Sequence, residues 1–109
     1  MHVHTQTVGS GPRTLVYLHG LLGRGRNFLS SARTLENEQR SVLVDLPNHG
    51  ESSWTDSFTY PDTADIVAEV IGDIVRRSGP VDLLGHSLGG KVAMVIALRH
   101  PELIDRLIV

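Results

Sequence analysis

A serine at position 87 lies in a short segment whose composition suits nucleophilic chemistry. Residues 85–91 read GHSLGGK, so Ser87 is at the centre of a G-x-S-x-G pattern. An apolar run over 81–84 precedes the pattern, and a stretch of good helix formers follows it. In that context the pattern predicts a tight strand-to-helix turn that exposes the serine hydroxyl above the sheet edge. Glycines suit such a turn because larger side chains would collide where the chain reverses. The predicted chemistry is acyl transfer.

Acyl transfer also needs two N–H donors that face the carbonyl oxygen as it becomes an oxyanion. The helix that follows Ser87 begins with free N–H groups and the positive end of its dipole, so Leu88 N–H is one candidate. A second loop, HGLLG at 19–23, follows another apolar strand, and Leu21 N–H is the other candidate. A third loop, DLPNHGES at 45–52, also follows a strand. Ligands of open α/β sheets bind at this edge, so the three loops predict one site.

The remaining pattern alternates strands and helices that would position these loops. Strands are predicted at 14–18, 41–46, 81–84 and 103–109, and residues 3–8 could form an antiparallel edge strand. Helices are predicted at 27–35, around 66–74 and after Ser87, with Asp62 or Thr63 as the cap of the second and His100-Pro101 ending the third. This alternation predicts an α/β fold with a mostly parallel sheet and helices on both faces.

The last residues of the chain bear on domain organisation. The chain stops inside an apolar run, with no turn or helix after Val109 to cover the sheet edge. We therefore interpret residues 1–109 as a partial, truncated domain, the N-terminal half of a larger fold. The C-terminal strands and any cap would be absent from it. On its own, such a chain is expected to show negligible esterase turnover and to aggregate through its exposed edge.

Composition excludes several other classes of function. The 109 residues include no cysteine, which excludes disulfides, zinc–thiolate sites and thiol nucleophiles. A net charge of −2 gives no electrostatic case for nucleic acid or an anionic membrane as a partner. No signal peptide or membrane-spanning run is visible, so a cytoplasmic protein is expected. No cofactor motif and no histidine pair with metal-ligand context occur, so we expect neither cofactor nor metal. The oligomeric state stays open.

The loops together resemble those of the alpha/beta-hydrolase superfamily. Within it they are most similar to the small esterase branch that contains abhydrolase-domain protein eleven and its bacterial relatives. The similar segments are LHGLLG at 18–23, NHGES at 48–52, GHSLGGKVAM at 85–94 and PELIDRLI at 101–108. Asn48-His49-Gly50 and Lys91 point to this branch, whereas Leu46-Pro47 is also similar to the menaquinone-pathway lyase branch. The resemblance spans about Thr14 to Val109.

The resemblance implies a role for each matching position. Ser87 would be the nucleophile, and the N–H groups of Leu21 and Leu88 would form the oxyanion hole. The residues implied to support these loops are His19, Gly20, Gly85, His86, Gly89, Asn48, His49 and Gly50. In this superfamily the triad acid and histidine follow the serine in chain order, so this chain would lack both. The implied substrate is a small-molecule ester or thioester.

The histidines and other polar residues before Ser87 have more than one interpretation. The resemblance implies that His19 braces its loop and that His86 points away from the serine hydroxyl, whereas His49 could approach the site. His2, His4 and His100 are interpreted as exposed polar residues. Asp45 is expected to hydrogen-bond within its own loop rather than serve as the triad acid. Trp54 could line an acyl site or lie on the surface, and Arg24 and Arg26 could be solvated or meet an anionic substrate.

Two other functions compete with a serine hydrolase that supplies a nucleophile and an oxyanion hole. One is a catalytically inactive hydrolase remnant. The other is a nucleotide-binding loop, since Gly85, Gly90 and Lys91 fit the pattern G-x-x-x-x-G-K. Val92 argues against nucleotide binding, because it replaces the Ser or Thr whose hydroxyl would hold magnesium.

Overall fold

The strands lie in one five-stranded sheet in the computed structural model, which describes all 109 residues. They are β1 (Thr5–Val8), β2 (Thr14–Leu18), β3 (Arg40–Val44), β4 (Val81–Gly85) and β5 (Ile104–Ile108). The order across the sheet is β1-β3-β2-β4-β5. β1 pairs antiparallel with β3, and all other pairs are parallel. The predicted α/β fold with a mostly parallel sheet is confirmed, and the antiparallel edge strand begins two residues later than predicted.

Three α-helices cover the two faces of the sheet. They are α1 (Leu29–Thr34), α2 (Tyr60–Ser78) and α3 (Leu88–Arg99), and short 3₁₀ turns lie at Gly25–Phe28 and Pro101–Leu103. α1 packs on one face and α2 with α3 on the other, so the prediction of helices on both faces is confirmed. None of the helices combines the length and apolarity needed to cross a bilayer.

The first two helices begin differently from their predictions. The predicted helix at 27–35 divides into the 3₁₀ turn and α1. Gly25 N–H, at the start of the 3₁₀ turn, donates to the Asp45 carboxylate at 2.7 Å. The cap of α2 is Thr59, not Asp62 or Thr63. The Thr59 hydroxyl accepts the N–H of Asp62 at 3.2 Å. The apolar stripe begins a full turn after the helix does, so it did not mark this start.

The larger core lies between the sheet and the α2–α3 layer. It is built from alternate residues of the strands and the inward faces of both helices: Val16, Leu18, Val42, Val44, Leu46, Ala64, Val67, Ala68, Ile71, Ile74, Val81, Leu83, Val92, Ala93 and Ile96. A smaller cluster beneath α1 contains Leu15, Tyr17, Ala32 and Leu43. Burial of this apolar surface, at about 25 cal/mol per Å², is the main force holding the loops over the sheet edge.

The last strand corrects one prediction. We expected a buried strand at 103–109, but β5 covers 104–108 and most of its residues are exposed. Leu107 and Ile108 keep 40% and 47% of their surface exposed. Within residues 1–109, β5 pairs with β4 on one side only, so no other element of these residues covers its second edge.

A charged cluster ties the amino-terminal edge of the sheet together. The Asp82 carboxylate on β4 is 8% exposed and accepts two hydrogen bonds from Arg13 and two from Arg106, at 2.9–3.2 Å. Arg13 also contacts the Asp105 carboxylate. The hydrogen bonds from Arg13, followed by those from Arg106, lower the pKa of Asp82 to about 2. The cluster joins the starts of β2, β4 and β5.

Candidate active site

Ser87 lies in a strained turn between β4 and α3. Its φ of 55° and ψ of −114° are a conformation that residues with side chains rarely adopt. The turn has no room for side chains at its neighbours. A Cβ at Gly85 would lie 2.3 Å from Gly89 O, and one at Gly89 would lie 2.2 Å from Leu18 O. Strain of this kind concentrates at functional sites and persists only where surrounding contacts impose it. The turn has the conformation that the G-x-S-x-G pattern predicted.

The HGLLG loop lies directly beside Ser87. Its backbone comes so close that a Cβ at Gly20 would lie 3.6 Å from Ser87 Cβ. Within the HGLLG loop, Gly23 N–H donates to Gly20 O at 3.0 Å. Leu21 N–H donates to no backbone acceptor. Leu88 is the first residue of α3, where N–H groups have no partner in a preceding helical turn. Two segments distant in sequence, the HGLLG loop and the first turn of α3, therefore lie beside one serine.

His19 joins two of the site loops from beneath. Its Nε2 accepts the N–H of Leu46 at 3.0 Å, so this nitrogen carries no proton. Its Nδ1 therefore carries the proton and donates to Gly20 O at 2.7 Å. The ring is 1% exposed, and desolvation by burial lowers the pKa of His19 below its usual value of 6.5. A neutral His19 thus braces the HGLLG loop against the end of β3.

The third loop is built around the Asp45 carboxylate. Asp45 is buried, and its two oxygens accept Gly25 N–H at 2.7 Å and Glu51 N–H at 3.0 Å. Gly50, at φ +49°, passes so close that a Cβ there would lie 2.3 Å from Asp45 Oδ2. The prediction that Asp45 shapes its own loop is confirmed. Its hydrogen bonds hold the segment that carries Asn48 and His49.

No histidine of the chain is hydrogen-bonded to Ser87 Oγ. His49 is buried, its Nδ1 lies 3.1 Å from Pro47 O, and its ring centroid is 5.0 Å from that of His19. His86 is exposed, and its Nδ1 would lie 3.1 Å from a Cβ added at Gly20. The histidines thus surround the loops without activating the serine.

Two other histidines correct a prediction. His100 was expected to be simply exposed, but its Nε2 lies 2.8 Å from the Asp65 carboxylate on α2. Hydrogen bonds from Arg99 and then His100 lower the pKa of Asp65 to about 2. His4 is likewise paired, 3.3 Å from Glu51. Both histidines are paired because the fold brings them to carboxylates that are distant in sequence. The sequence around each histidine does not indicate these partners.

An open cleft of about 730 Å³ extends from Leu88 along the site loops. Its lining residues come from the HGLLG loop, the Asn48 loop and the segment before α2: Leu21, Leu22, Gly23, Arg24, Asn48, His49, Gly50, Trp54, Thr55, Asp56, Ser57, Phe58, Tyr60 and Leu88. Trp54 was a candidate lining residue from the sequence, whereas Phe58 and Tyr60 were not predicted. The signal in the sequence was the presence of three aromatic residues, Trp54, Phe58 and Tyr60, within seven positions of an otherwise polar segment.

One group of side chains could offer ligand atoms to a metal ion. Donor atoms of His4, Asp45 and Glu51 lie within 4.8 Å of one another. Both Asp45 oxygens already accept backbone N–H groups, and the same cavity is lined by three arginines: Arg24, Arg26 and Arg33. Their positive charges oppose cation binding. Sequence spacing did not reveal this group, because His4 precedes β1 and lies about forty residues from Asp45 and Glu51 in the chain.

Comparison with known proteins gives consistent matches. A family model for the alpha/beta hydrolase fold matches residues 13–109. The chain is 42% identical over 104 residues to the sn-1-specific diacylglycerol lipase ABHD11 of Danio rerio, covering 93% of the chain and 32% of that protein. It is 34% identical over 99 residues to ethanol acetyltransferase 1 of Kluyveromyces lactis, covering 84% of the chain and 25% of that protein. A solved marine microorganism esterase superposes with a TM-score of 0.89 at 33% identity, covering 96% of the chain and 40% of that structure.

These matches confirm the resemblance predicted from the sequence, including its partial extent. The chain spans about a quarter to a third of the length of the two relatives it matches. The matched part includes the strained serine turn and both neighbouring loops.

Proposed function

The chain belongs to the alpha/beta hydrolase fold family, and from that premise we propose that Ser87 is the nucleophile of a serine hydrolase. Its substrates would be small-molecule carboxylic esters or thioesters. One observation carries the proposal: an exposed serine hydroxyl held on a strained turn, with the Gly20 backbone and the first turn of α3 beside it. The names of its relatives support acyl transfer as the common chemistry.

The proposed reaction proceeds in two steps. Ser87 Oγ attacks the carbonyl carbon, and the N–H groups of Leu21 and Leu88 stabilise the negative charge that develops on the carbonyl oxygen. The leaving group departs with a proton, and an acyl group remains on Ser87. Water then attacks the acyl-enzyme, releases the acid and restores the serine. Loss of one such N–H donor would slow the reaction by about 10²–10³-fold.

The proton of Ser87 needs an acceptor, and neither His49, whose Nδ1 contacts Pro47 O, nor His86 is hydrogen-bonded to Ser87 Oγ. In the family order, the acid and the histidine follow the serine. We therefore propose that residues 1–109 form the nucleophile and oxyanion part of the domain. The acid, the histidine and the cap would come from chain beyond Val109.

Labelling of Ser87 by an uncharged alkyl fluorophosphonate tests the proposal, with the intact gene product as the sample. Mass spectrometry should find the phosphonyl group on Ser87, and Ser87→Ala should abolish it. Ser30→Ala is the matched control, because Ser30 is also exposed but lies on α1. Folded protein that takes up no label would support the inactive remnant instead, and label on another serine would contradict the proposal.

A further inference from the structure

A second cavity, of about 310 Å³, is bordered by β1, β3, the first 3₁₀ turn and α1. We call it the arginine cavity, because Arg24, Arg26 and Arg33 line it. Arg26, Leu29 and Arg33 recur at intervals of three and four residues along the 3₁₀ turn and α1, so they share one helical face. The fold therefore gathers three positive charges at one concave surface.

The strands supply the rest of the cavity lining and hold the arginines in place. Gln6 comes from β1 and Leu43 from β3. The hydrogen bond from Gly25 N–H to the Asp45 carboxylate, at 2.7 Å, ties the start of the 3₁₀ turn to the end of β3. The element that carries the arginines is thus anchored to the sheet.

The guanidinium groups of the arginine cavity have no partner within the chain. Five other arginines donate to a carboxylate or a hydroxyl: Arg13, Arg40, Arg76, Arg99 and Arg106. Four do not, and three of those four line this one cavity; the fourth is Arg77 on α2. Each unpaired guanidinium keeps its N–H donors for an external acceptor.

The two carboxylates in the cavity lining are already engaged. The oxygens of Asp45 accept Gly25 N–H at 2.7 Å and Glu51 N–H at 3.0 Å. The Glu51 carboxylate lies 3.3 Å from Nε2 of His4. Three positive charges against two negative leave one positive charge in excess, and it belongs to groups without partners. The charge of the cavity favours an anion.

We propose that the arginine cavity binds the phosphate group of a soluble small molecule. A phosphate ester carries a charge of about −2 and three acceptor oxygens, which several guanidinium groups can share. A carboxylate has only two oxygens and one charge. The cavity volume of about 310 Å³ lies at the lower end of the range of about 300–1,000 Å³ for small-molecule sites.

The net charge of the chain argues for a soluble ligand. At −2 it gives an anionic membrane no general attraction to the protein. The site is also separate from the serine chemistry, since Ser87 and Leu88 do not line it. The inference does not depend on the proposed function.

NMR of the arginine Nε–Hε groups tests the inference directly, with the intact gene product as the sample and inorganic phosphate as the probe. The ionic strength is kept at about 0.01 M, where screening is weak. Phosphate should shift the signals of Arg24, Arg26 and Arg33 saturably and leave that of Arg77 unchanged. Acetate should bind about tenfold more weakly, because it offers fewer acceptor oxygens and less charge.

Variants separate the cavity from general charge. Arg26→Gln and Arg33→Gln should each weaken phosphate binding about tenfold, the effect of losing one charge-assisted hydrogen bond. Arg77→Gln is the matched control, because it removes the same charge from an exposed, unpaired arginine outside the cavity. It should bind phosphate as the unaltered protein does. Ser87→Ala should also bind equally well.

Vesicles distinguish a lipid headgroup from a soluble phosphate. The protein should stay in the supernatant when phosphatidylcholine vesicles are sedimented, with or without phosphatidic acid. Sedimentation with phosphatidic acid that is lost in Arg33→Gln would contradict a soluble ligand and assign the cavity to a membrane surface.

Three further results would overturn the inference. One is the absence of saturable shifts at the three arginines in the unaltered protein. Another is acetate binding as tight as phosphate binding. The third is a loss in Arg77→Gln as large as that in Arg33→Gln. If Ser87 is labelled and the arginine signals do not respond to phosphate, the proposed function stands and this inference fails.

Discussion

The two edges of the sheet are formed by the same strands but differ in backbone strain and in charge pairing. At the carboxyl edge, Leu22, Asn48 and Ser87 all have positive φ although none is a glycine. At the amino edge, the positive φ values belong to glycines: Gly9, Gly11 and Gly79. Strained conformations of residues with side chains cost about 1–3 kcal/mol each. The strain is confined to the edge that carries the candidate site.

The amino edge carries stabilising contacts that offset the strain at the carboxyl edge. Asp82 accepts four hydrogen bonds from two arginines, so its buried carboxylate is fully paired. Ser87 Oγ, at the other edge, faces solvent and retains its hydrogen-bonding capacity for a ligand. If Ser87 is the nucleophile as proposed, the stabilising ion pairs and the reactive hydroxyl lie at opposite ends of β4. Substitutions at the two ends should therefore have separable effects.

The largest effect is expected where the strained turn meets β2. Gly89→Ala should lower the free energy of unfolding by about 3 kcal/mol, because its Cβ would lie 2.2 Å from a backbone oxygen. Gly72→Ala in α2 is the matched control, since its Cβ would meet an ordinary contact at 3.7 Å. It should stabilise the protein by up to about 1 kcal/mol, as alanine favours helix. Urea unfolding measures the stability of both variants. Equal midpoints for Gly89→Ala and Gly72→Ala would contradict the expected steric clash at Gly89.

A substitution in the charged cluster at the amino edge should cause a smaller loss of stability, and that loss should depend on pH. Asp82→Asn should cost about 2 kcal/mol at pH 7, because the folded pKa of about 2 lies below the usual value of 3.8. A lowered carboxyl pKa stabilises the fold above pH 3.8, and this contribution is lost as pH falls through about 2. Urea unfolding between pH 2 and 7 should show that dependence reduced in the variant. The labelling rate of Ser87 should not change; a large decrease would show that the two edges are coupled.

Relief of strain at Ser87 should produce a gain. Ser87→Gly should raise the free energy of unfolding by about 1 kcal/mol, because glycine accepts a φ of 55° at little steric cost. Ser87→Ala retains a Cβ and should give no such gain. Chemical denaturation of both variants separates conformational strain from loss of the hydroxyl. Equal stability of the two variants would mean that the turn stores little strain.

The smallest effect concerns His19. Because burial lowers its pKa below 6.5, the folded protein should keep His19 neutral at pH values where the unfolded chain binds a proton. Its stabilising contribution is present above pH 6.5 and declines as pH falls below that value. NMR titration of the His19 ring should give a midpoint below 6.5. A midpoint at or above 6.5 would mean that desolvation does not control the His19 pKa.

The sequence predicted the elements that depend on local pattern. Apolar runs located the strands, and the glycines around Ser87 located the strained turn. What it could not predict depends on contacts between distant residues. The cap at Thr59, for example, precedes the apolar stripe of α2. The bonds from Asn48 to the segment around Trp54 require a positive φ that no composition rule indicates.

The strand order also has a consequence for the biosynthesis of the protein. β2 pairs with β3 and with β4, and the Arg13–Asp82 contact joins positions 69 residues apart. A ribosome that has released only the first sixty residues can offer β1, β2 and β3, but no partner for the other side of β2. Closing long loops slows folding, so the β2–β4 pairing should be a late event. Ser87 and Gly20 become neighbours only when that pairing forms, so the candidate site cannot assemble before β4 has been synthesised.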